Sequence, residues 1–254
     1  MFKSRGKGGS VHIYTKQITM NLSARILIMR NIPLLKSLTE EQLLLLAEAA
    51  EYRKYPKNKL IYDLGCKVTH VCLIEKGSVK LGMLASCGKT LTKDIVYDGE
   101  IFSENVFGSQ AISREFAETM METRVFEIPV DTFRHIVVGN PMFASKVMDI
   151  IVARLQNLEE RLQNFVFRKA KERIVHFIYR SGLRRGIKIG FNECLIDHGM
   201  SHREIAFLTD TSRQTVARIM SELKKENYIH YGSQKGSKIL IRDMELLRDY
   251  RLAG

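Results

Sequence analysis

Residues 141–167, PMFASKVMDIIVARLQNLEERLQNFVF, run without glycine and with no proline after the first position. Ala144, Met148, Ile151, Leu155, Leu158, Leu162 and Phe165 are separated by alternating steps of four and three. That 3.5-residue period, held for about three heptads, keeps one apolar seam on the same side of a helix that winds on a partner. The segment therefore has to be a long helix, and its seam has to be covered. Cover can come from the chain's own body or from a second copy, and the strict period favours a parallel coiled-coil dimer. Met148, Ile151, Leu155, Leu158, Leu162 and Phe165 are the predicted interface, flanked by Arg154, Glu159, Glu160 and Arg161.

This helix divides the chain. Before it, NIPLLKSLTEEQLLLLAEAAEYRKY reads as a short apolar segment followed by a helix that Thr39 can cap. From about Leu60 to Pro129 the texture is different. The short runs VCLIEKGSVKLGML, TLTKDIVYD and MMETRVFEI are rich in β-branched and aliphatic residues and broken by Gly65, Gly77, Gly82, Gly88, Gly99 and Gly108. Close-spaced short strands with glycine turns predict a sandwich or barrel-like roll. The first 21 residues are basic and contain Gly and Ser, but lack the apolar stretch of a signal peptide, and are expected to form a flexible tail. Met20 is a second candidate start.

After the long helix, 18 Lys and Arg face 10 Asp and Glu in residues 168–254, so most of the chain's +12 charge lies in its last third. A basic excess concentrated in this way points to a polyanionic partner, nucleic acid or an anionic membrane. The segment reads as a helix (KAKERIVHFIYRSG), a hairpin (IKIGFNECLI), two close helices, and a second hairpin (YIHYGSQKGSKILIRD). Ser201 with Glu204 is a capping box that starts the first close helix. Thr209–Asp210–Thr211 breaks it, and Thr211 or Ser212 caps the next. In that next helix Val216, Ile219 and Leu223 share one face, to pack on Ile205, Ala206 and Leu208, while Arg213, Gln214, Ala217 and Arg218 take the opposite edge. Arg bonds guanine O6 and N7, and Gln pairs with adenine N6 and N7. Ser201, His202, Thr211, Ser212, Thr215, Lys235 and Lys238 are the candidate phosphate contacts. The order of elements is that of a winged helix-turn-helix.

The stretch SHREIAFLTDTSRQTVARIMSELKKENYI resembles the DNA-reading segment of the cyclic-AMP receptor / fumarate-nitrate regulator family of bacterial transcription factors, most specifically in TSRQTVARI. IEKGSVKL and DGEIFSE are looser matches in the roll. The resemblance covers roughly residues 22–250. It implies an α+β chain: a tail at 1–21, an N-terminal β-roll of the cyclic-nucleotide-binding jelly-roll type at 22–140, a dimerisation helix at 141–167 and a C-terminal winged helix-turn-helix at 168–254. It implies a homodimer on a pseudo-palindromic duplex DNA operator, base-reading by Arg213, Gln214 and Arg218, and RNA polymerase as a further partner. Familiar members carry Glu where this chain has Gln214, so the half-site need not be theirs.

The family's nucleotide pocket uses a Gly-Glu pair at the ribose and an Arg-Ser pair at the cyclic phosphate. Gly99, Glu100, Ser103 and Arg114 are the candidate effector pocket here. Ser103 stands where Gly is usual, and Arg114 is followed by Glu115, which sets a carboxylate beside a phosphate. Leu158 and Glu159 fall at the base-contacting positions. Cyclic-AMP sensing does not follow from this set. No cofactor is the reading adopted, with a cyclic nucleotide, or haem on His12 or His70, as alternatives. Cys194, His198 and His202 have metal-like spacing, but the helix cap already accounts for that turn, and no metal is expected. The four cysteines form no CxxC pair and read as reduced thiols of a cytoplasmic protein. No run is apolar for the ~20 residues that span a bilayer. A phosphate-binding glycine loop, a nucleophile elbow and a paired-carboxylate signature are all missing, so no enzyme activity is expected. A non-specific architectural DNA binder is the other class that this composition allows.

Overall fold

The computed structural model describes residues 16–17, 20–84, 90–103, 112–197, 200–231 and 238–252. The chain forms two compact units, residues 1–81 with 95–143, and residues 82–94 with 144–254.

In the first unit Asn21 caps α1 (Leu22–Arg30), and a 3-10 turn over Pro33–Ser37 leads to α2 (Glu40–Ala49). Thr39 and Gln42 form a reciprocal capping box at the start of α2, so the predicted cap is in place. α1 has only a weak amphipathic pattern and was not apparent from sequence. Its Arg25 reaches the carbonyls of Ala47 and Ala50, closing the C-terminal end of α2.

The strands are β1 (Lys16–Gln17), β2 (Glu51–Tyr55), β3 (Leu60–Tyr62), β4 (His70–Lys76), β5 (Ser78–Leu84), β6 (Thr90–Tyr97), β7 (Ile101–Phe102), β8 (Phe116–Thr119) and β9 (Thr123–Pro129). One sheet runs β1-β2-β9-β4-β7 and the other β3-β8-β5-β6. β1 corrects part of the expected tail: Lys16 and Gln17 pair with Lys54 and Arg53 and extend the edge of the first sheet. Inward residues of both sheets meet in one core of Tyr55, Cys72, Ile74, Val79, Leu81, Val96, Phe102, Ala117 and Val125. Each large side chain fully buried there contributes about 1.5–3 kcal/mol. Gly77 turns β4 into β5 at φ +118, where a Cβ would lie 2.5 Å from the Thr123 hydroxyl oxygen and 2.8 Å from its Cα. No other residue fits that turn.

α3 (Val130–Gly139) follows the roll, and the chain breaks at Asn140 before α4 (Pro141–Phe167). Asn140 makes the corner. Its amide nitrogen donates to Ser37 O (2.9 Å) and Gln42 Oε1 (2.8 Å), and its Oδ1 accepts from Phe143 N–H (2.9 Å). At 1.5 Å per residue α4 is about 40 Å long.

The second unit holds the end of β5 and the start of β6, most of α4, then α5 (Ala170–Arg185), β10 (Ile187–Lys188), β11 (Cys194–Asp197), α6 (His202–Leu208), α7 (Arg213–Lys225), β12 (Ile229–His230), β13 (Lys238–Ile241) and α8 (Met244–Leu252). Its sheet, β10-β11-β13-β12, is antiparallel throughout, so both predicted hairpins are present. The turn of the second hairpin, with Lys235, lies outside the described residues. Among the described residues no single helix is long and apolar enough to cross a membrane.

Candidate nucleic-acid interface and roll interior

α6 and α7 are built by their caps. Ser201 N–H and its hydroxyl both donate to Glu204 Oε2 (2.7 and 2.8 Å), and Ser201 Oγ accepts from Glu204 N–H (3.4 Å). Ser212 Oγ accepts from Thr215 N–H (3.0 Å), with the two hydroxyls 2.8 Å apart. Ser201, Ser212 and Thr215 therefore hold helix ends in the free protein and lie at the two N-termini where a phosphate would meet backbone N–H groups. Thr211 donates its N–H to Ala206 O (2.9 Å).

α7 has two unlike faces. Val216, Ile219, Met220 and Leu223 are buried, and so are Ile205 and Ala206 on α6. Arg213, Gln214 and Arg218 are exposed on the far edge. Arg218 leans 3.6 Å from Glu222 at i, i+4 and stays 71% exposed. An exposed pair of that kind contributes little and leaves the guanidinium able to swing to a base. Glu222 is also paired with Lys171, which holds its carboxyl below the usual range. Half-buried His202 opens α6. Burial first, and the nearby Arg213 charge second, push its imidazole below the ordinary value. Lys238 lies at the base of the wing, 3.7 Å from Asp197.

The turn between α6 and α7 places Asp210 at φ +51, a left-handed conformation that is roughly 1–2 kcal/mol unfavourable for most L residues and milder for Asp. The buried Thr209 hydroxyl donates to Ile205 O (2.7 Å). Two arginines from distant helices cover the rest of the turn. Arg173 of α5 donates to the carbonyls of Thr209 (2.8 Å), Asp210 (2.9 Å) and Arg168 (2.7 Å). Arg161 of α4 grips the Asp210 carboxylate with Nε (3.0 Å) and Nη2 (2.7 Å). Sequence reading placed Arg161 only as a flank of the heptad seam. Its partner lies 49 positions away, and no local pattern joins the two.

Along α4 the seam is not used within the chain. Met148, Leu155, Leu162 and Phe165 are each more than half exposed, with Ile151 and Leu158 at 37% and 41%. Single exposed apolar residues are ordinary; a continuous heptad row of them is a surface that needs a partner.

The roll keeps its polar groups inside. Gly99 (φ +78) and Glu100 close the β6–β7 turn: Gly99 N–H donates to Ile74 O (2.8 Å), and the Glu100 carboxylate accepts from Tyr97 N–H (3.0 Å). Ser103 is 2% exposed at φ +72, a conformation that favours glycine. Its hydroxyl faces the Tyr62 phenol and the Cys72 thiol with no partner at full hydrogen-bond geometry. Arg114 is exposed, and Glu115 is the buried neighbour, accepting from the Tyr62 phenol at 3.1 Å. A second buried carboxylate, Glu127, accepts from the Tyr55 phenol and pairs with Arg53 (3.1 Å). Burial and these carboxylates push the Tyr55, Tyr62 and Cys72 acidities far into the basic range. The described residues around this cluster are two carboxyl groups, two phenols, the Ser103 hydroxyl and the Cys72 thiol, with Arg53 beside Glu127. Sequence reading named Glu115 as a departure and missed Tyr62, Tyr55 and Glu127.

Of the haem candidates, His70 Nδ1 is 2.9 Å from the Thr69 hydroxyl, and His12 lies outside the described residues, as does His198 of the metal-like spacing. Among the described residues no group of three His, Cys, Asp or Glu side chains is placed to hold a metal ion.

A two-sheet roll, a long helix and a winged helix-turn-helix with an exposed basic reading edge define a class, the DNA-binding transcription regulators with a cyclic-nucleotide-binding-type domain. The family model for the Crp-like helix-turn-helix domain matches residues 172–250, and that for the cyclic nucleotide-binding domain matches residues 52–140. The Cyclic AMP receptor protein of Thermus thermophilus is 24% identical over 221 residues, 87% of this chain and 97% of that protein. Among solved structures, a CooA mutant from Carboxydothermus hydrogenoformans aligns with a TM-score of 0.72 at 24% identity, over 87% of this chain and 95% of that one. FixK2 from Bradyrhizobium japonicum aligns with a TM-score of 0.69 at 20% identity, over 79% and 96%. The chain belongs to the cyclic-AMP receptor / fumarate-nitrate regulator family and is a transcription regulator of that type.

Proposed function

We propose that two copies of this chain, joined along α4, read a pseudo-palindromic operator by inserting α7 of each copy into the major groove. Such half-sites lie about 34 Å apart on the duplex. The observation that carries this reading is the division of α7: an apolar face buried within the unit, and Arg213, Gln214 and Arg218 exposed together on the opposite edge. Arg213 and Arg218 suit guanine, and Gln214 suits adenine. Ser201, His202, Thr211, Ser212, Thr215 and Lys238 surround that edge as phosphate contacts, and Lys235 is assigned to the same role from sequence. A cytoplasmic location and RNA polymerase as a second partner belong to this reading, which assigns the chain no catalytic role.

The roll, in this reading, takes no cyclic nucleotide. This is supported by the buried carboxyl groups Glu115 and Glu127 in the interior and by the exposure of Arg114.

Selection of binding sites from a random duplex pool tests the DNA-reading half. A two-fold-related consensus is expected, and its absence would leave only a non-specific architectural binder. Arg213→Ala should lower affinity for the selected site by roughly 1–3 kcal/mol and relax preference at one base pair per half-site. An unchanged consensus with that variant would remove Arg213 from base reading.

A further inference from the structure

One guanidinium in the second unit joins three separate segments. Arg161 projects from α4, within the heptad helix, and its Nε and Nη2 take both oxygens of Asp210. Nη2 also donates to Phe207 O at 2.6 Å, at the end of α6, and Nη1 donates to Thr92 O at 2.9 Å, at the start of β6. Arg161 and Asp210 are each about one-fifth exposed (20% and 23%), so the pair is largely shielded from water. The planar fork of Arg fits a carboxylate in only one way, which makes such a contact directional as well as attractive.

Asp210 is the revealing member. The turn needs a left-handed residue, and glycine would adopt that conformation without strain. A carboxylate adds nothing to the turn itself; its oxygens point out of the turn, to α4. Helix α7 begins three residues later, and Ser212 between them caps it. Whatever fixes Asp210 in space therefore fixes where the recognition helix starts.

We propose that Arg161 and Asp210 form a strut that sets the recognition helix on the dimer helix, so that this pair determines which half-site spacing the dimer accepts. Arg161 and Asp210 are positioning residues and touch no base. Arg173 secures the same turn through its backbone carbonyls, but that contact is indifferent to the side chain at 210. Among the described residues the Arg161 contact is the one that depends on the carboxylate and ties the turn to α4 and to the start of β6 together.

The strut rests on the dimeric reading above, and two measurements keep the two separable. The first is hydrogen exchange on the free full-length protein, followed in peptides spanning 90–97 and 207–216. Arg161→Ala and Asp210→Gly should each speed exchange in both peptides, by about tenfold. Unchanged exchange at 90–97 in Asp210→Gly would break the link between the segments and overturn the proposal, whatever the DNA result. The second uses duplexes carrying the selected half-site singly, and in pairs whose spacing varies by single base pairs. Arg161→Ala should bind the correctly spaced pair about tenfold more weakly, hold the single half-site within about twofold, and lose its spacing preference. The double variant Arg161→Ala/Asp210→Gly relieves the turn of strain and of an unpaired carboxylate. It should regain thermal stability and still lack the spacing preference. Recovery of that preference in the double variant, or its retention in Arg161→Ala, would reduce the pair to a stability contact. A wild type that binds single and paired half-sites alike refutes the dimeric reading, and with it the spacing role, while exchange still reports whether the segments are tied.

Discussion

The winged helix and the roll handle polar side chains in opposite ways. In the winged helix the apolar residues of α7 turn inward, and Arg213, Gln214 and Arg218 face water. In the roll Tyr55, Ser103, Glu115 and Glu127 are buried and Tyr62 is half-buried, while Arg114 is exposed. An exposed cationic edge can exchange water for phosphate and base edges at small loss. In the interior the polar groups are committed to one another: the Tyr62 and Tyr55 phenols donate to the Glu115 and Glu127 carboxyl groups. The contrast teaches that a shared fold does not by itself assign a ligand, which has to be argued from the side chains at the site.

Leu158→Asp should do most to break the comparison, because it removes the seam that delivers two reading edges at once. A charge at a heptad core position should yield monomers in sedimentation and lower affinity for the paired site by about 100-fold or more. Dimers that survive this change would place the interface off α4. Next comes Tyr62→Phe, which takes the phenol from the buried Glu115 carboxylate and should destabilise the protein by roughly 1–3 kcal/mol in denaturant melts. Neither wild type nor this variant should give heat with cyclic AMP or cyclic GMP in calorimetry. Micromolar binding by wild type would erase the distinction between the two regions.

Gln214→Glu sharpens the other side. An amide donates and accepts, whereas a carboxylate accepts only, as from cytosine N4. Binding-site selection with this variant should change one base pair per half-site and leave the spacing alone. The smallest effect belongs to His202. Its folded-state pKa is held below 6.5, so the unfolded chain takes up the proton first. Stability should therefore fall as pH drops through about 6.5, and level off below the folded value. A phosphate at His202 would reverse the shift, so operator affinity should rise a few-fold as pH falls over the same window. His202→Gln should flatten both trends, and a pH-independent affinity in wild type would take His202 off the phosphate list.

Local chemistry was the legible part. The capping box of Ser201 and Glu204, the cap at Ser212, the stripe of Val216, Ile219 and Leu223 and the seam of α4 all repeat within a few turns of one helix. Spacing alone therefore places them. Less was legible where pattern is weak. α1 lacks a strong apolar stripe, and β1 is a two-residue strand whose only reason to form is the free edge of β2. Both were absent from the sequence reading for that reason. In the roll, alternation marked the strands but not what fills the space between the sheets.

The sequence by itself determined the elements that make this protein a DNA reader: a heptad helix that must find a partner, two capped helices at a short turn, and a basic edge on the second. Each is set by interactions between near neighbours along the chain. Only the tertiary structure decided that Arg161 meets Asp210 and Thr92, and that Glu115 faces Tyr62. Those pairings span 49, 69 and 53 positions. Contacts at such separations depend on how whole elements pack, and burial then selects which polar groups can stay charged or must be bonded.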